Sequence, residues 1–438
     1  MKQSRYNFFF EHGNNNMVCY NSRTNALCTI ERDLYERYEK YLNGYYSFLS
    51  EEEISKFLYG GFLVSKDIDE LEILKERMYL DRYDRNRLIL TIAPTLKCNF
   101  ACPYCFEQAD KPGNMSTEIQ NKIVEFIELR KKDIKHLHIV WYGGEPLLAL
   151  ECIRYLSNKF IDICSKNNIK YTAKIITNGY FLDRNIMEEV INDFKVNSIQ
   201  VTLDGPAETH NKTRILHDGS PTFDKIINNL KKSKDIIKNI VYIRMNISKQ
   251  NYLYVDELEN ILKKEGLYDI LNYRLAMVAP NNKIDEEKVC FNSSEFHRIE
   301  SVCKKRKEGL LYPILKSNFC GADSISAMVI ASDGNIYKCW EDVGIKSKAI
   351  GNLLSDKDSI IDEKYLFNKY LYTMYDPTND EKCRECKFLP ICMGGCPLRR
   401  LENQDRCIEY KYTLKEDLLN ILNYKSKTKH YNLDKVTK

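Results

Sequence analysis

Hydrophobic and polar positions follow one recurring order from about residue 88 to about residue 278. Short apolar runs typical of buried strands cover residues 88–95, 138–142, 173–177, 198–203, 241–247 and 273–278. Between them, apolar side chains recur at helical spacing in residues 116–131, 150–166, 183–194, 222–237 and 254–264. Six strands alternating with helices predict a parallel sheet buried on both faces, with right-handed crossovers. Functional side chains are then expected at the carboxyl ends of the strands.

The first 85 residues follow a different pattern. Strands are predicted at residues 7–10, 17–20 and 26–30, and helices at residues 31–41, 50–58 and 68–83. Ser50, with Glu53 three residues later, has the form of a capping box. Strands and helices of this number and length resemble a winged-helix fold.

Length and composition limit the classes of protein that fit. A chain of 438 residues predicts two or three domains. The formal net charge is +4 with both signs interspersed, which gives little support for nucleic-acid binding. Residues 1–16 lack the features of a signal peptide and no later run is long enough to span a membrane, so we expect a cytoplasmic protein. In a reducing compartment, 16 cysteines predict metal or redox chemistry rather than disulfides.

Three cysteines form a first cluster directly after the first strand of the predicted sheet. Cys98, Cys102 and Cys105 have C-x3-C-x2-C spacing on one short loop. Three thiolates can hold three irons of a 4Fe-4S cube, which normally takes four. A metal position without a protein ligand leaves room for a ligand or substrate, so the spacing predicts catalysis.

This cysteine run resembles the radical S-adenosylmethionine (SAM) superfamily, and companion motifs follow at the ends of later strands. The resemblance implies that Glu145 and nearby backbone hold the SAM amino group, and that Thr202 and Arg214 contact its carboxylate. Glycine before Glu145 lets backbone approach a ligand closely. The backbone of Tyr104 is implied to lie beside the adenine, and Arg244 is a further candidate. The implied SAM site comprises Tyr104, Gly143, Gly144, Glu145, Pro146, Thr177, Asn178, Thr202, Asp204, Arg214 and Arg244.

A second group of cysteines resembles the SPASM extension of radical SAM peptide-modifying enzymes, which binds two auxiliary 4Fe-4S clusters. Carried over by position, the distal cluster would be held by Cys383, Cys386, Cys392 and Cys407. The cluster nearer the barrel would be held by Cys320, Cys339 and Cys396. Seven thiolates leave one of eight positions open to another ligand. A pair of zinc sites is the alternative, because C-x2-C is also the usual signature of zinc.

Together these resemblances imply an α/β protein with four parts. A winged-helix-like precursor-peptide recognition domain covers residues 1–85, and a partial (β/α)6 TIM-like radical SAM barrel covers residues 86–310. The SPASM domain covers residues 311–415, and a helical tail covers residues 416–438. The implied cofactors are SAM and three 4Fe-4S clusters. The implied partners are a ribosomally made precursor peptide and an electron donor such as flavodoxin or ferredoxin, with neither nucleic acid nor membrane.

The implied reaction is reductive cleavage of SAM to a 5'-deoxyadenosyl radical, which abstracts hydrogen from the precursor peptide. A cysteine thioether is the leading hypothesis for the product, because an open iron could bind a substrate thiolate, and metal-bound thiols ionise. Carbon-carbon crosslinking or another peptide maturation is the alternative within this class. A non-catalytic iron-sulfur or zinc scaffold is the alternative outside it.

Sulfatase maturation is less favoured by the sequence. Anaerobic sulfatase-maturating enzymes have a further cysteine in the stretch corresponding to residues 321–338, where this chain has none. Trp340 also stands where those enzymes have an aspartate base, unless Glu341 or Asp342 replaces it. The sequence therefore identifies no catalytic base.

The N-terminal part resembles the element with which ribosomal peptide maturases capture a leader peptide as an added strand. The strand at residues 26–30 is the expected edge, with apolar cover from Tyr35, Tyr38 and Tyr41. The alternative is that these tyrosines fill a small core. Acidic residues at 51–53 and 67–72 oppose the use of a winged helix for DNA binding.

Overall fold

The computed structural model describes residues 1–107, 113–280, 284–306, 312–355 and 363–427. Its strands are β1 (Lys2–Gln3), β2 (Asn7–His12), β3 (Asn16–Asn21), β4 (Ala26–Glu31), β5 (Leu63–Val64), β6 (Arg87–Ile92), β7 (His136–Trp141), β8 (Lys170–Thr177), β9 (Val196–Thr202), β10 (Val241–Ile247), β11 (Asn272–Met277), β12 (Ala327–Ile330), β13 (Asn335–Tyr337) and β14 (Gly351–Asn352).

The α-helices are α1 (Arg32–Leu42), α2 (Glu51–Tyr59), α3 (Glu70–Arg82), α4 (Thr117–Arg130), α5 (Leu150–Lys166), α6 (Arg184–Asn192), α7 (Ala207–Thr213), α8 (Phe223–Lys232), α9 (Val255–Lys264), α10 (Glu286–Val289), α11 (Ser293–Arg306), α12 (Glu363–Thr373), α13 (Glu381–Arg384), α14 (Leu389–Cys392), α15 (Pro397–Leu401) and α16 (Tyr410–Lys427). In the described part of the chain, no helix combines the length and apolar character needed to cross a bilayer. The last eleven residues of the predicted tail, 428–438, lie outside the described residues.

The chain divides into two compact units. The first contains Met1–Arg82, Ser293–Cys320 and Asp376–Lys438, and the second contains Tyr83–Asn292 and Gly321–Tyr375. The four-part division drawn from the sequence stays a prediction.

The second unit is built on one nine-stranded sheet with the order β11-β10-β9-β8-β7-β6-β12-β13-β14. Strands β6 to β11 are parallel, each beside its neighbour in sequence, with helices between them. All six predicted barrel strands are therefore confirmed, as is the mixed α/β class. Alternate strand residues such as Ile199, Val201, Ile243 and Met245 are fully buried, as expected for the face that the helices cover.

The sequence pattern predicts no strands after residue 278, but the structure has three more in this sheet. Strand β12 pairs in parallel with β6, and β13 and β14 continue the sheet in antiparallel fashion. These strands have two to four residues each, too few for apolar alternation to appear in the sequence. Residues 327–352 thus extend the barrel sheet.

The first unit contains the predicted N-terminal strands and helices. Strands β2, β3 and β4 form an antiparallel sheet in that order. Ser50 caps α2: its side chain accepts from Glu53 N, and the Glu53 carboxylate accepts from Ser50 N, as predicted. Tyr38 and Tyr41 are buried in the core between this sheet and the helices, so for these two the core-filling alternative is confirmed.

Candidate active site

The first cysteine cluster lies in the loop directly after β6. Residues of the segment after α7 hold the backbone of this loop in place. Ala101 N donates to Ile215 O at 2.8 Å, and His217 Nε2 lies 3.0 Å from Cys98 O. Burial raises the pKa of the Cys98 thiol to about 12. A bound metal reverses this preference, because a coordinating thiol is deprotonated outright.

The three cysteines of this loop, Cys98, Cys102 and Cys105, are all half-buried. Within the described residues, no group of three or more His, Cys, Asp or Glu side chains forms a site for a single metal ion. A 4Fe-4S cube takes one thiolate per iron, so its ligands surround the cluster and need not meet at one ion. The loop spacing therefore remains the basis for assigning these three residues.

Two glycines after β7 bring the backbone close to the cysteine loop. A Cβ at Gly143 would lie 2.2 Å from Thr95 O, and Gly143 has φ +124°. A Cβ at Gly144 would lie 2.3 Å from Lys97 O. Gly144 N and Glu145 N donate to these same carbonyls, at 3.3 and 2.9 Å. Both positions require glycine, and the two loops form one rigid cradle.

Glu145 is a fully buried carboxylate at the centre of this cradle. It accepts hydrogen bonds from Thr177 Oγ1 at 2.7 Å, Asn178 N at 2.7 Å and Leu147 N at 3.1 Å. Burial nevertheless raises its pKa to about 7, because these bonds only partly replace lost hydration. A cation placed here would favour the ionised form. Pro146 follows Glu145 and begins a short 3-10 turn, Pro146–Ala149.

Asp204, after β9, joins three of the predicted residues in one buried network. Tyr104 OH donates to the Asp204 carboxylate and accepts from Arg214 Nη1 at 2.8 Å. Arg214 Nη1 lies 3.8 Å from Asp204 Oδ2. Asn246 N donates to Asp204 Oδ1 at 2.9 Å, and Arg244 Nε donates to Asn246 Oδ1 at 2.8 Å. The structure thus brings together residues from three strands, β6, β9 and β10.

His210 was missed by the sequence analysis, although it lies only four residues before Arg214. Its Nδ1 accepts from Asp204 N at 3.2 Å, so Nε2 carries the hydrogen and donates to Thr222 Oγ1 at 3.1 Å. Thr222 Oγ1 in turn donates to Arg214 O at 2.5 Å. Burial lowers the pKa of His210 well below its usual value, so the ring is neutral and holds the backbone of Arg214 in place.

The chemistry of these residues fits the amino-acid part of SAM. Buried Nε of Arg214 and buried Nδ2 of Asn99 have no hydrogen-bond partner among the described residues. Asn99 Oδ1 accepts from Asn178 Nδ2 at 2.8 Å, which fixes its orientation. Thr202 is buried on β9, beside Arg244 on β10. A buried carboxylate suits an ammonium group, and unpartnered buried N–H donors suit a carboxylate.

The four cysteines predicted for the distal cluster are gathered in the first unit. Burial first, and then the charges of Cys407 and Cys383, raise the pKa of the Cys392 thiol to about 12. The pKa of the Cys386 thiol is also raised, first by burial and then by the charges of Cys383 and Cys407. Arg406 Nη2 lies 3.7 Å from Cys383 Sγ, and Lys411 Nζ lies 3.2 Å from Cys407 Sγ. Such donors stabilise thiolates.

The three cysteines predicted for the nearer auxiliary cluster fall in different units. Cys320 and Cys396 belong to the first unit, and Cys339 belongs to the second. Cys320 is exposed, and the other two are half-buried. Their joint role as cluster ligands stays a prediction.

The residues after Cys339 include the two candidate replacements for a catalytic aspartate. Asp342 is fully buried, accepts from Tyr372 OH and forms an ion pair with Lys348 Nζ at 2.9 Å. These contacts give Asp342 a structural role. Trp340 is 39% exposed and stacks on Tyr142 with ring centroids 5.3 Å apart.

Comparisons with known proteins relate this sequence to one superfamily. Residues 92–263 match the Radical SAM superfamily. A cysteine-type anaerobic sulfatase-maturating enzyme of Clostridium perfringens (strain 13 / Type A) is 27% identical over 363 residues, which are 74% of this chain and 93% of that protein.

Two groups of solved structures share the fold. Native anSMEcpe with bound AdoMet and Kp18Cys peptide aligns with a TM-score of 0.58 and 22% identity over 77% of this chain and 99% of that one. Streptococcus suis SuiB bound to precursor peptide SuiA aligns with a TM-score of 0.52 and 16% identity over 93% of this chain and 98% of that one. These structures show the fold, whereas the match over residues 92–263 shows that the chain has a radical SAM domain and, with the curated relatives, that it is an enzyme.

Proposed function

We propose that this chain, a radical SAM enzyme similar to anaerobic sulfatase-maturating enzymes, is a maturase that modifies a ribosomally made precursor peptide, most simply by forming a cysteine thioether. The observation that carries the proposal is the number of cysteines in the second group, which is seven: Cys320, Cys339, Cys383, Cys386, Cys392, Cys396 and Cys407. Two auxiliary 4Fe-4S clusters need eight ligands, and a peptide cysteine has the matching chemistry for the eighth.

The residues of the second unit support SAM binding at the strand ends. SAM and a 4Fe-4S cluster at Cys98, Cys102 and Cys105, when bound, would supply the 5'-deoxyadenosyl radical that abstracts hydrogen. Glu145 would hold the ammonium group, and Arg214 would hold the carboxylate from a guanidinium oriented by Tyr104. Buried side chains around these groups exclude water, which strengthens each interaction.

Two observations support a peptide substrate: the ligands of structures with similar folds, and an edge strand in this chain. Structures with similar folds include SuiB bound to precursor peptide SuiA and anSMEcpe bound to Kp18Cys peptide. In this chain, β4 is an edge strand of the sheet β2-β3-β4 in the described residues, so its outer backbone groups are available for an added strand. We propose that β4 captures the leader peptide. The electron donor is expected to be a flavodoxin or a ferredoxin.

Analysis of the modified peptide distinguishes thioether formation from carbon-carbon crosslinking. The test uses anaerobically reconstituted protein, SAM, a reductant and a cysteine-containing peptide encoded beside the gene. A thioether predicts loss of two hydrogens together with loss of cysteine alkylation, read by tandem mass spectrometry. Loss of two hydrogens with the cysteines still alkylated would instead establish carbon-carbon crosslinking.

The metal content tests the cluster assignment separately. Three cubes predict about twelve irons per chain and matching sulfide. Replacing Cys383 by Ala should remove about four of them and leave SAM cleavage measurable. About two zincs per chain in place of the auxiliary iron would contradict the two auxiliary clusters.

A further inference from the structure

The barrel strands carry cations on the face opposite the apolar one. On β10, Ile243 and Met245 are fully buried, whereas Tyr242 and Arg244 alternate with them and are half-buried. Register pairing places Arg244 beside Arg274 of β11. In closed (β/α)8 barrels, the corresponding inner face is filled with branched apolar side chains. A basic face at the same place is suited to binding a ligand.

Lys174 of β8 belongs to the same face and lies close to both arginines. Lys174 Nζ is 5.0 Å from the centroid of the Tyr242 ring, and Arg274 Cζ is 5.8 Å from it. Burial first, and then the charges of Arg274 and Arg244, lower the pKa of Lys174 to about 8. These contacts define a cluster of three cations around one aromatic ring, which we call the lumen cation cluster: Lys174, Arg244 and Arg274.

Lys174 and Arg274 of the lumen cation cluster have no anionic partner among the described residues, whereas the charge of Arg244 also acts on the Asp204 carboxylate. Within the described residues, no ion pair involves any of its three members, and the only polar side-chain contact of Arg244 is with the neutral Asn246. Like charges held together without an anion raise the energy of the charged state. A bound anion would remove that cost. Arg274 is exposed and Lys174 half-buried, so a ligand can reach them.

Two members of the cluster, Lys174 and Arg274, lie deeper than the predicted SAM site, whereas Arg244 borders that site through Asn246. Lys174 precedes Thr177, the end of β8, by three residues, which corresponds to about 10 Å along a strand. Arg274 likewise precedes Met277, the end of β11, by three residues. Glu145 and Arg214, which fit the amino-acid part of SAM, lie at the strand ends.

We propose that the lumen cation cluster binds the carboxylate of an Asp or Glu side chain in the peptide substrate. The inference rests on the proposed function, because it assumes a peptide that enters the barrel. Guanidinium groups match a carboxylate in two-point geometry, and a lysine adds a third donor. An acidic residue near the modified position would thereby be held at a fixed depth.

The binding test uses the anaerobic holoenzyme saturated with SAM and without reductant. The probes are the peptides Ac-Gly-Glu-Gly-NH2 and Ac-Gly-Gln-Gly-NH2, titrated by saturation-transfer NMR at low salt. Wild type should prefer the Glu peptide by about tenfold, the equivalent of one charge-assisted contact. The double variant Lys174→Met/Arg274→Gln should lose the preference. Lys225→Met, an exposed cation on α8, is the matched control and should keep it.

The single variant Arg274→Gln is a second test in case the double variant fails to fold. Because Arg274 is exposed, this substitution should leave the fold intact, and it should reduce the preference for the Glu peptide by at least threefold.

Equal affinity for both peptides in wild type would overturn the inference, as would a preference that survives in Arg274→Gln. Inorganic phosphate that binds as tightly as the Glu peptide would overturn it in favour of a free-anion site. Binding of the Glu peptide to protein without SAM that is absent from the SAM-saturated protein would assign the cations to SAM itself. Failure of wild type to make 5'-deoxyadenosine under reductant would refute the proposed function, and that assay is independent of this titration.

Discussion

Two residues show how burial sets the charge state before any ligand is present. Glu145 and Lys174 have opposite charges, and burial shifts the pKa of each towards the neutral form. Glu145 is fully buried and receives three hydrogen bonds. Lys174 faces two arginines. Both shifts should be relieved by a ligand of complementary charge.

SAM binding should depend on pH through Glu145. The pKa of about 7 means that the carboxyl becomes protonated below pH 7 and loses its attraction for an ammonium group. Affinity for SAM, measured by equilibrium dialysis with radiolabelled SAM, should fall by up to about tenfold per pH unit below 7. Glu145→Gln should bind weakly with little change over this range. The exposed Glu151→Gln on α5 should behave as wild type. An unchanged pH profile in Glu145→Gln would contradict this role.

Stability should depend on pH through Lys174. Its pKa is about 8 in the folded chain and about 10.5 in an unfolded one, so between these values the unfolded state binds more protons. The free energy of unfolding should therefore rise with pH from about 8 to about 10.5. Lys174→Met should have a higher Tm than wild type at pH 7, and the difference should vanish by about pH 10.5. A variant Tm below that of wild type at pH 7 would show that burying the charge of Lys174 beside these arginines does not destabilise the fold.

At the scale of elements, the loops after β6 and β7 depend on close backbone approach. Gly143→Ala would force a Cβ to 2.2 Å from Thr95 O, whereas Gly219, also at positive φ, has nothing within 4 Å of its Cβ position. Gly143→Ala should therefore lose SAM binding and iron at the first cluster. Gly219→Ala shares the backbone strain but should retain both, as measured by dialysis and iron analysis. Equal behaviour of the two variants would remove the argument for a rigid cradle.

The capping box of α2 gives a local prediction for the N-terminal part. Ser50→Ala removes the side-chain acceptor for Glu53 N and should cost about 1 kcal/mol. Hydrogen exchange within residues 51–59 should accelerate by about fivefold, because exchange reports local opening. Ser55→Ala, at an exposed position inside the same helix, is the control and should change exchange little. Equal acceleration in both variants would argue against the cap.

Elements with clear periodicity could be predicted from the sequence, and contacts between distant residues could not. The barrel strands were recognisable because apolar residues such as those of β10 alternate over seven positions. Strands β12 to β14 are too short for such a signal. The motif residues Glu145 and Asp204 could be named by resemblance, but their partners Thr177 and Asn246 lie 32 and 42 residues away in sequence. Only the folded sheet brings these partners together.

At the scale of the whole molecule, two of the three predicted cysteine clusters each lie within one compact unit. Cys98, Cys102 and Cys105 belong to the second unit, beside the groups that fit SAM. The predicted distal cluster falls entirely in the first unit, which also contains β4, the proposed leader-binding strand. In the proposed function, radical formation and peptide capture thus belong to different units of one chain.

The central claim is that three thiolates in the second unit hold the cluster at which SAM is cleaved. The most direct measurement is 5'-deoxyadenosine formed from SAM and dithionite by anaerobically reconstituted protein. Wild type should form it, Cys102→Ala should form at least a hundredfold less, and Cys152→Ala, a buried cysteine on α5, should remain active. Wild-type protein that contains iron and sulfide but forms no 5'-deoxyadenosine, or a Cys102→Ala variant as active as wild type, would contradict the account.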